Sequence, residues 1–368
     1  MYFCIAMKYQ KIEQKVLSGV ALSAGEALRI YRSLPTPDLM LLAQQVRQRL
    51  HPGNTVSWII DRNINITNVC VSACSFCSFH CHIHDQEKAF ITDTETYKKK
   101  IEELFKTGGR QLLLQGGMHP DLQLNYYEQL FTELKTLFPS LKLHALGPAE
   151  IIYLSKTSGL STKKVLVRLM HAGLDSLPGA GAEILVDGIR QKVAPNKCSV
   201  RQWIHVMRQA HKLKLPTTAT MMFGHIENLQ DRMTHLSKIR QLQSEKPSGS
   251  LGFTAFIPWT FQAPHTALIK AFPKIEKTST DSYLRTIAIS RIFLNNIKNI
   301  QASWLTAGKE AATMALSAGA NDLGSIMIEE NVVAASGVKR TMSVRQMQKL
   351  IKEAGFIPQQ RDQLYNPV

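Results

Sequence analysis

Three cysteines in one short segment are the side chains of this chain best suited to chemistry. Cys70, Cys74 and Cys77 follow the pattern Cys-x3-Cys-x2-Cys. Three thiolates from a single segment can hold three irons of a cubane 4Fe–4S cluster and leave the fourth iron open. An iron without a protein ligand is a place where a cofactor can bind. The spacing therefore predicts a cluster with one open coordination site.

Other uses of these cysteines leave more of the sequence unexplained. A structural zinc ion takes four ligands, commonly from two Cys-x2-Cys pairs, and the 368 residues contain no second pair. Zinc would have to recruit Cys81, His82 or His84. Ferredoxin-type carriers are short chains with four thiolates per cluster, and four of the six cysteines fall within residues 70–81, which disfavours a disulfide framework. A zinc-bound or metal-free loop remains open at this point.

The composition is that of a globular chain, with 44% hydrophobic and 20% charged residues. No apolar run reaches the 18 or so residues of a membrane span, and the N-terminal apolar run is too short for a secretory signal, so the expected location is the cytoplasm.

The formal net charge of +16 favours anionic ligands or partners. No basic run is interleaved with aromatic residues, so nucleic acid is not expected as a partner, and without a long apolar run a membrane is not expected either. Met7 begins a more ordinary helical N-terminus than Met1, and residues 1–6 are expected to be a start-site extension.

Short apolar runs alternate with amphipathic segments along most of the chain. Strands are predicted at Ile64–Val69, Gln111–Gln115, Leu141–Leu146, Leu174–Leu177, Thr217–Phe223, Gly252–Ile257, Ile300–Trp304 and Asp322–Met327. Helices are predicted between them, and three further helical segments precede them at Ile12–Leu17, Ser23–Ser33 and Asp38–Leu50. Eight parallel strands with helical crossovers favour a closed (β/α)8 barrel, with an open doubly wound sheet as the alternative. The predicted regions are an N-terminal helical region (1–56), the barrel (57–330) and a C-terminal extension packed on it (331–368).

Polar residues, glycines and tryptophans gather where the predicted strands end, which is where barrel enzymes build their sites. These positions are Gln115, Gly116, Gly117, His144, Glu183, His225, Glu227, Trp259, Trp304, Glu329 and Glu330. Each also has a structural interpretation, because glycines shape turns, tryptophans pack in cores and carboxylates suit helix N-termini. Their shared position at one mouth favours a functional site.

The cysteine segment and the glycine pair together resemble the radical S-adenosylmethionine (radical SAM) enzymes. The resemblance implies that Cys70, Cys74 and Cys77 bind a 4Fe–4S cluster and that S-adenosylmethionine chelates its open iron. It also implies that Phe76 lies against this cofactor and that Gln115, Gly116 and Gly117 contact its amino group. Glu183 is a candidate for a cofactor hydroxyl or amino group, because a carboxylate accepts both kinds of hydrogen bond.

Longer strings narrow the resemblance to the dehypoxanthine futalosine cyclases of menaquinone biosynthesis. They lie between about Ser57 and Tyr365 and include Asp61-Arg-Asn-Ile-Asn65, Pro178-Gly-Ala-Gly-Ala-Glu183, Thr218-Ala-Thr-Met-Met-Phe-Gly-His225 and Phe256-Ile-Pro-Trp-Thr-Phe-Gln262. The implied reaction begins with a 5′-deoxyadenosyl radical, which takes a hydrogen atom from the ribose of dehypoxanthine futalosine. The ribose carbon then bonds to the benzoate ring, and the product is cyclic dehypoxanthine futalosine. A flavodoxin- or ferredoxin-like protein is the implied electron donor.

Roles for further side chains stay open in the sequence. His144, His225 and Glu227 are candidates for accepting the proton lost when the aromatic ring is restored, provided that they face the cavity. Arg190 and Arg285 are candidates for attracting the benzoate. Segment 78–84 departs from the family pattern. Its extra Cys81 is expected to be a bystander, because a fourth thiolate would close the open iron.

Other functions also remain open. Aminofutalosine synthases and deazaflavin-core synthases share the cluster motif and the glycine-rich loop, and only segment 256–262 favours the cyclase. An iron–sulfur electron carrier or redox sensor would bind the cluster without cleaving S-adenosylmethionine. A zinc-stabilised binding protein would leave the glycine pair and the barrel mouth without a role.

Overall fold

Ten strands and fifteen α-helices make up the described part of the chain in a computed structural model, which covers residues 2–338 and 340–368, with side chains from residue 10 onward. The start-site prediction concerns residues 1–6. Met1 and the side chains of residues 2–6 lie outside the described residues. The strands are β1 (Thr55–Ile59), β2 (Asp61–Asn65), β3 (Gln111–Gln115), β4 (Lys142–Ala145), β5 (Leu174–Ser176), β6 (Thr217–Phe223), β7 (Phe253–Thr260), β8 (Asn299–Ile300), β9 (Asp322–Ser325) and β10 (Ile357–Gln360).

The helices occupy the segments between strands and both ends of the chain. They are α1 (Tyr2–Leu17), α2 (Ala24–Ser33), α3 (Thr36–Leu50), α4 (Thr94–Lys106), α5 (Leu124–Leu137), α6 (Pro148–Ser158), α7 (Thr162–Ala172), α8 (Asp187–Val193), α9 (Val200–Lys212), α10 (Leu229–Ser244), α11 (Ala267–Ala271), α12 (Thr280–Phe293), α13 (Trp304–Ala307), α14 (Lys309–Leu316) and α15 (Val344–Glu353). A 3-10 turn at Ala334–Ser336 precedes the last helix. Among the described residues, none of these helices is both long and apolar enough to cross a membrane.

The strands close into a parallel barrel, which confirms the predicted fold class. Strands β2 to β5 pair in order, as do β6 to β8. A bridge between Leu177 and Thr217 joins the two groups, and a bridge between Gln301 and Asp322 joins β8 to β9. The circle closes because β9 pairs with β1, which continues into β2 after a single break at Ile60. The open doubly wound sheet is therefore excluded.

Two strand predictions were misplaced. The first strand was predicted at Ile64–Val69, but it spans Thr55–Asn65 in its two halves. The prediction overlaps only the last two residues of this strand, because four of the five residues in its second half are polar, yet all five are buried. The strand predicted at Ile300–Trp304 ends at Ile300, and Trp304 begins a short helix instead.

The N-terminal helices are fixed to the barrel by buried arginine contacts. Arg47 on α3 is fully buried, and its guanidinium donates to the carbonyls of Ala320 and Thr55, at 3.1 and 2.9 Å. Helix α3 packs along α12, and Arg285 of α12 donates to the carbonyl of Leu34 at 2.9 Å. These contacts place α3 directly before β1, so that the first barrel strand starts from a fixed point.

The C-terminal segment forms the floor of the barrel, at the end opposite the cysteines. Strand β10 pairs in parallel with β1, and the next residue, Arg361, is almost fully buried. Its guanidinium donates Nε and Nη2 to the two carboxylate oxygens of Asp322, at 2.5 and 2.9 Å. Tyr365 lies under the same guanidinium, 3.8 Å from ring centroid to Cζ. The floor therefore rests on a bidentate buried ion pair, a geometry that arginine favours. The region limits predicted from the sequence, 1–56, 57–330 and 331–368, remain a prediction.

We expect Arg361→Met to destabilise the protein strongly, because it leaves the carboxylate of Asp322 buried without a partner. Breaking a buried ion pair from one side typically costs about 3–5 kcal/mol. The double variant Arg361→Met with Asp322→Leu should recover much of that loss, because no charge then stays unpaired. Urea unfolding followed by tryptophan fluorescence measures both effects. Lys349→Met, which removes an exposed pair with Glu353, is the matched control and should change the midpoint little. Equal midpoints for Arg361→Met and this control would contradict the expectation.

Candidate active site

A cavity of about 390 Å³ runs through the barrel from the cysteine segment to the C-terminal floor. Most of the site residues predicted from the sequence line this one space: Cys70, Cys74, Phe76, Cys77, Gln115, Gly116, Gly117, His144 and Glu183. Trp259, Trp304 and Glu330 also line it. The alternation of inward-facing residues along parallel strands explains how residues from distant parts of the chain meet here.

The cysteine segment follows β2 and is held in shape by backbone contacts with its neighbours. The amide of Val71 donates to the carbonyl of Met118 at 3.1 Å, and the amide of Ser75 donates to that of Val193 at 2.9 Å. Between them, Ala73 adopts a φ of +45°, a left-handed conformation that costs a residue with a side chain about 1–3 kcal/mol. Contacts on both sides of Ala73 maintain this turn, and they fix where the three thiols point.

The three thiols differ in exposure. Cys74 is buried, with the hydroxyl of Ser72 lying 3.2 Å from its Sγ, whereas Cys70 and Cys77 are partly exposed. Burial raises the pKa of the Cys74 thiol above its ordinary value. A thiol in this state needs a metal or another positive charge to become a thiolate. All the cysteines with described side chains are free of disulfides.

The arrangement fits an iron–sulfur cluster better than a single metal ion. No three His, Cys, Asp or Glu side chains converge on a single-ion site within residues 10–338 and 340–368. A structural zinc ion needs such convergence, whereas each thiolate of a cubane cluster binds a different iron. Cys81 does not line the cavity, and its backbone is used in pairing with Asn68 and Cys70. The donors that fit the cluster are therefore Cys70, Cys74 and Cys77.

The glycine pair after β3 permits a close approach between two loops. A Cβ on Gly117 would lie 2.0 Å from the carbonyl oxygen of Val69 and 2.9 Å from Cβ of Cys70. A Cβ on Gly116 would lie 2.8 Å from the carbonyl oxygen of Thr67. Any side chain at either position would push the cysteine segment away from β3. The pair thus has a packing role that the sequence analysis did not foresee, because it considered the glycines only as turn formers or cofactor contacts. The contact with the cofactor remains a prediction.

A buried ion pair lies beside the cysteines. Lys197 donates to Oε1 of Glu183 at 2.9 Å, and its Nζ lies 5.1 Å from the ring centroid of Phe76. Burial raises the pKa of Glu183, but the Lys197 ammonium outweighs it and holds that pKa below the ordinary value. Burial lowers the pKa of Lys197, while the nearby Cys74 and Glu183 raise it well above the ordinary range. This corner of the cavity presents one positive and one negative group to a ligand.

Arg190 positions this corner but does not enter the cavity. Its guanidinium is buried and donates to the carbonyls of Gly181, Ala182 and Cys198, at 2.8, 2.7 and 2.5 Å. These contacts hold the loop that carries Glu183, whose φ of +43° is also left-handed. The expectation that Arg190 attracts a benzoate is wrong, because its donors are already used and it does not line the cavity.

The expectation that Arg285 attracts the benzoate is also wrong. Its guanidinium donates to the hydroxyl of Thr36 and the carbonyl of Tyr31. It therefore joins α12 to the N-terminal helices and does not line the cavity.

Of the three proton-transfer candidates, His144 alone faces the cavity. Its Nδ1 lies 2.7 Å from the hydroxyl of Ser176, and burial, with the nearby Arg361, lowers its pKa to about 3. The ring is therefore neutral at physiological pH.

His225 and Glu227 do not face the cavity. The carboxylate of Glu227 accepts the amides of Gly224 and His225, at 2.7 and 2.9 Å, and the Nε of Arg232 at 2.9 Å. Nδ1 of His225 lies 3.3 Å from the same carboxylate. These contacts shape the loop after β6, so the condition on which both candidates depended is not met.

The remaining mouth residues divide between the cavity and the protein matrix. Trp304 is fully buried and donates its indole N–H to the carbonyl of Ser325 at 2.8 Å. Glu330 lines the cavity and accepts three backbone amides, of which that of Val333 is the nearest at 2.8 Å. Glu329 instead pairs with Arg62 and Lys100 outside the cavity.

Several residues that line the cavity were missed by the sequence analysis: Asn63, Gln111, Glu150, Lys197 and Arg361. Nothing in the sequence separates a buried lysine such as Lys197 from the many solvent-exposed ones. Asn63 carried a usable signal, because the polar residues of segment 61–65 directly precede the cysteine segment.

Comparison with family models and with known proteins agrees with this geometry. Residues 64–239 match the radical SAM superfamily, and residues 250–368 match the CofH/MqnC C-terminal region. The chain is 38% identical to a cyclic dehypoxanthine futalosine synthase of Halalkalibacterium halodurans, over 98% of this chain and 95% of the relative. It is 40% identical to a protein of the same name from Streptomyces coelicolor, over 97% of this chain and 88% of the relative.

Two further comparisons limit what these matches establish about the substrate and the fold. A 5-amino-6-(D-ribitylamino)uracil–L-tyrosine 4-hydroxyphenyl transferase of Methanosarcina mazei is also 40% identical, over 90% of this chain and 85% of the relative. Among solved structures, methylornithine synthase superimposes with a TM-score of 0.72 at 19% identity, covering 94% of this chain and 97% of the other. The structural match supports the barrel fold alone.

We expect Gly117→Ala to prevent stable cluster assembly, because the new Cβ would displace the backbone at Val69 and Cys70. Iron and sulfide content after anaerobic reconstitution, together with the visible absorption of the cluster, measures the loss. Gly188→Ala is the matched control, since a Cβ there meets nothing within 4 Å. Full iron content in Gly117→Ala would show that the segment tolerates the shift.

We expect Lys197→Met to destabilise the protein by about 3–5 kcal/mol, because Glu183 would keep a buried charge without a partner. The second variant, Lys197→Met with Glu183→Gln, should recover much of this loss. Because the folded-state pKa of Glu183 is lowered, its stabilising effect is complete above the unfolded-state pKa and is lost as pH falls through the folded one. Urea midpoints between pH 3 and 8 should show this loss in the wild type and not in the double variant. The control is Lys142→Met, which removes an exposed lysine and leaves Asp175 paired with Lys135. A midpoint for Lys197→Met as high as this control's would refute the expectation.

Proposed function

Because this chain belongs to the radical SAM superfamily, whose enzymes use a 4Fe–4S cluster and S-adenosylmethionine, we propose that it converts dehypoxanthine futalosine to cyclic dehypoxanthine futalosine in menaquinone biosynthesis. The observation that carries the proposal is the similarity of nearly the whole chain to two synthases of that name. The reaction forms a carbon–carbon bond between the ribose and the benzoate ring.

The cavity supports this proposal by grouping the residues that would hold the cofactors. Cys70, Cys74 and Cys77 would hold the cluster, and the ion pair of Lys197 and Glu183 lies next to them. When bound, the cluster and S-adenosylmethionine supply a carbon radical that can take a hydrogen atom from an unactivated C–H bond. The carboxylate and amino groups of an amino acid match an ammonium and a carboxylate held side by side. We therefore assign Lys197 and Glu183 to the methionine part of S-adenosylmethionine.

The rest of the barrel has to protect and orient the reacting groups. Apolar side chains line the cavity near the mouth, among them Met118, Trp259, Leu305 and Val333. They exclude water from the site, which limits side reactions of a radical. We assign no side chain to the proton released when the aromatic ring is restored, because His144, the one candidate of the three that lines the cavity, has a pKa of about 3 and is therefore a weak proton acceptor.

We place the entry of the electron at the outer side of the cysteine segment. Within and just after this segment, Val71, Ile83, Phe90 and Ile91 each expose more than a third of their surface, and exposed apolar side chains are common at interaction sites. The net charge of +16 favours an acidic partner, and a flavodoxin- or ferredoxin-like donor has that character. A cytoplasmic location stays a prediction.

Anaerobic reconstitution with iron and sulfide, followed by S-adenosylmethionine, a reductant and dehypoxanthine futalosine, tests the function. We expect 5′-deoxyadenosine and a product two hydrogens lighter than the substrate, both detected by mass spectrometry. Cys74→Ala should abolish both products because it removes one iron ligand. Cys81→Ala is the matched control, a buried cysteine outside the cavity, and should keep the cluster and the activity.

Each other outcome points to a different function. A tyrosine-derived product formed from 5-amino-6-(D-ribitylamino)uracil would favour the transferase activity named for the 40% identical relative. A deoxyadenosyl group joined to an enolpyruvyl benzoate would favour an aminofutalosine synthase. A cluster that never cleaves S-adenosylmethionine would favour an electron carrier or sensor. Turnover by Cys74→Ala would refute the radical mechanism.

A further inference from the structure

Two amide side chains deep in the barrel have oxygen atoms without a partner. Asn63 on β2 and Gln111 on β3 are 3% and 5% exposed, and both line the cavity. Neither Oδ1 of Asn63 nor Oε1 of Gln111 accepts a hydrogen bond from the described residues. A buried acceptor without a donor costs about 1–3 kcal/mol. Both atoms therefore favour a ligand that brings hydrogen-bond donors.

The two amides lie well below the cofactor end of the cavity. In the strand register, Asp61 is opposite Gln111, Asn63 is opposite Leu113, and Asn65 is opposite Gln115 at the rim. Gln111 lies four positions before Gln115 and Asn63 two positions before Asn65, which corresponds to about 13 Å and about 7 Å along a strand. A sugar bound by both amides thus lies between the floor and the rim, with its hydroxyl groups toward the amides and its other face toward the cysteines.

Contacts with the floor determine which way the amide of Gln111 points. Its Nε2 donates to Oδ2 of Asp61 at 3.3 Å, and the other carboxylate oxygen of Asp61 accepts the hydroxyl of Ser325. Because the nitrogen is used on Asp61, the oxygen of Gln111 is left for a ligand. The floor is therefore rich in acceptors.

The charges around these amides favour a neutral ligand group. Every donor-bearing nitrogen of Arg361 is already bound, to Asp322 through Nε and Nη2 and to the carbonyl of Asp362 through Nη1. A carboxylate would find no free cation among the described residues here and would be repelled by Asp322. An ammonium group would be repelled by Arg361, and Asp61 is a weak counter-ion for it, because both oxygens of Asp61 already accept hydrogen bonds from Gln111 and Ser325 and burial raises its pKa. Hydroxyl groups supply donors without a charge.

We propose that Asn63 and Gln111 bind hydroxyl groups on the floor-facing side of the substrate and select for a sugar or polyol. The inference rests on the proposed function for the identity of that sugar, the ribose of dehypoxanthine futalosine. Asn63 and Gln111 are specificity-determining residues in this scheme, with Asp61 as the positioning residue that orients Gln111.

The test compares dehypoxanthine futalosine with its 2′,3′-dideoxy analogue, by anaerobic isothermal titration of the reconstituted protein without reductant. The wild type should bind the parent compound about tenfold more tightly for each hydroxyl that is recognised. Asn63→Leu and Gln111→Met should weaken binding of the parent by a similar factor and affect the analogue little, so that the preference collapses. Gln44→Met is the matched control, because Oε1 of Gln44 is also buried without a partner but lies outside the cavity.

The comparison within the wild type needs no variant, so it stands even if a substitution impairs folding. Equal affinity of the wild type for the two compounds would overturn the inference, as would an unchanged preference in folded Asn63→Leu and Gln111→Met. The proposed function is tested separately, by the assay for cyclic dehypoxanthine futalosine described above. If the wild type prefers the hydroxylated compound but does not cyclise it, the floor inference survives and the proposed function fails. If it does not bind the parent compound, both fail.

Discussion

Charges inside a closed barrel must be paired, and this constraint organises the whole cavity. An unpaired buried charge costs several kcal/mol, since no water can solvate it. The lumen holds one ion pair at each end, Lys197 with Glu183 beside the cysteines and Arg361 with Asp322 at the floor. Asp61 and Glu150 line the cavity without an ion pair among the described residues, and burial raises the pKa of both carboxyls toward the neutral form. Each pair links segments that are separate in sequence. The pairs therefore stabilise the barrel and also divide the cavity into two chemically different ends.

The two ends suit different parts of a reaction. Near the mouth, a positive and a negative group lie side by side next to three thiols, an arrangement that matches a zwitterionic cofactor on a cluster. At the floor, the charges are paired with each other, and neutral amides face the space between. A substrate held from below by neutral contacts can present its reactive carbon to the mouth without competing for the charged groups there.

The sequence predicts the scaffold and the cluster far better than it predicts these pairs. Strand–helix alternation leads to the closed barrel because each buried strand is a short apolar run, as in Gln111–Gln115. Cys70, Cys74 and Cys77 are recognisable because their spacing is local. Lys197 and Arg361 are not, because their partners lie on other elements and only the folded barrel brings them together. The position of the first strand was mispredicted for a related reason, because the polar lumen residues Asp61, Asn63 and Asn65 interrupt its apolar pattern.

Differences in substrate within the superfamily have to come from the lumen residues that the sequence pattern does not reveal. In the proposed function the cysteine segment holds the cluster whatever the substrate is, and two relatives of different names are equally identical to this chain at 40%. Overall identity therefore cannot select the substrate. What can differ between such enzymes without disturbing the cluster is the set of inward-facing side chains below the rim, since these contact only what lies in the lumen. In this chain that set includes Asn63, Gln111 and His144, so the choice of substrate depends on the strands that form the barrel wall.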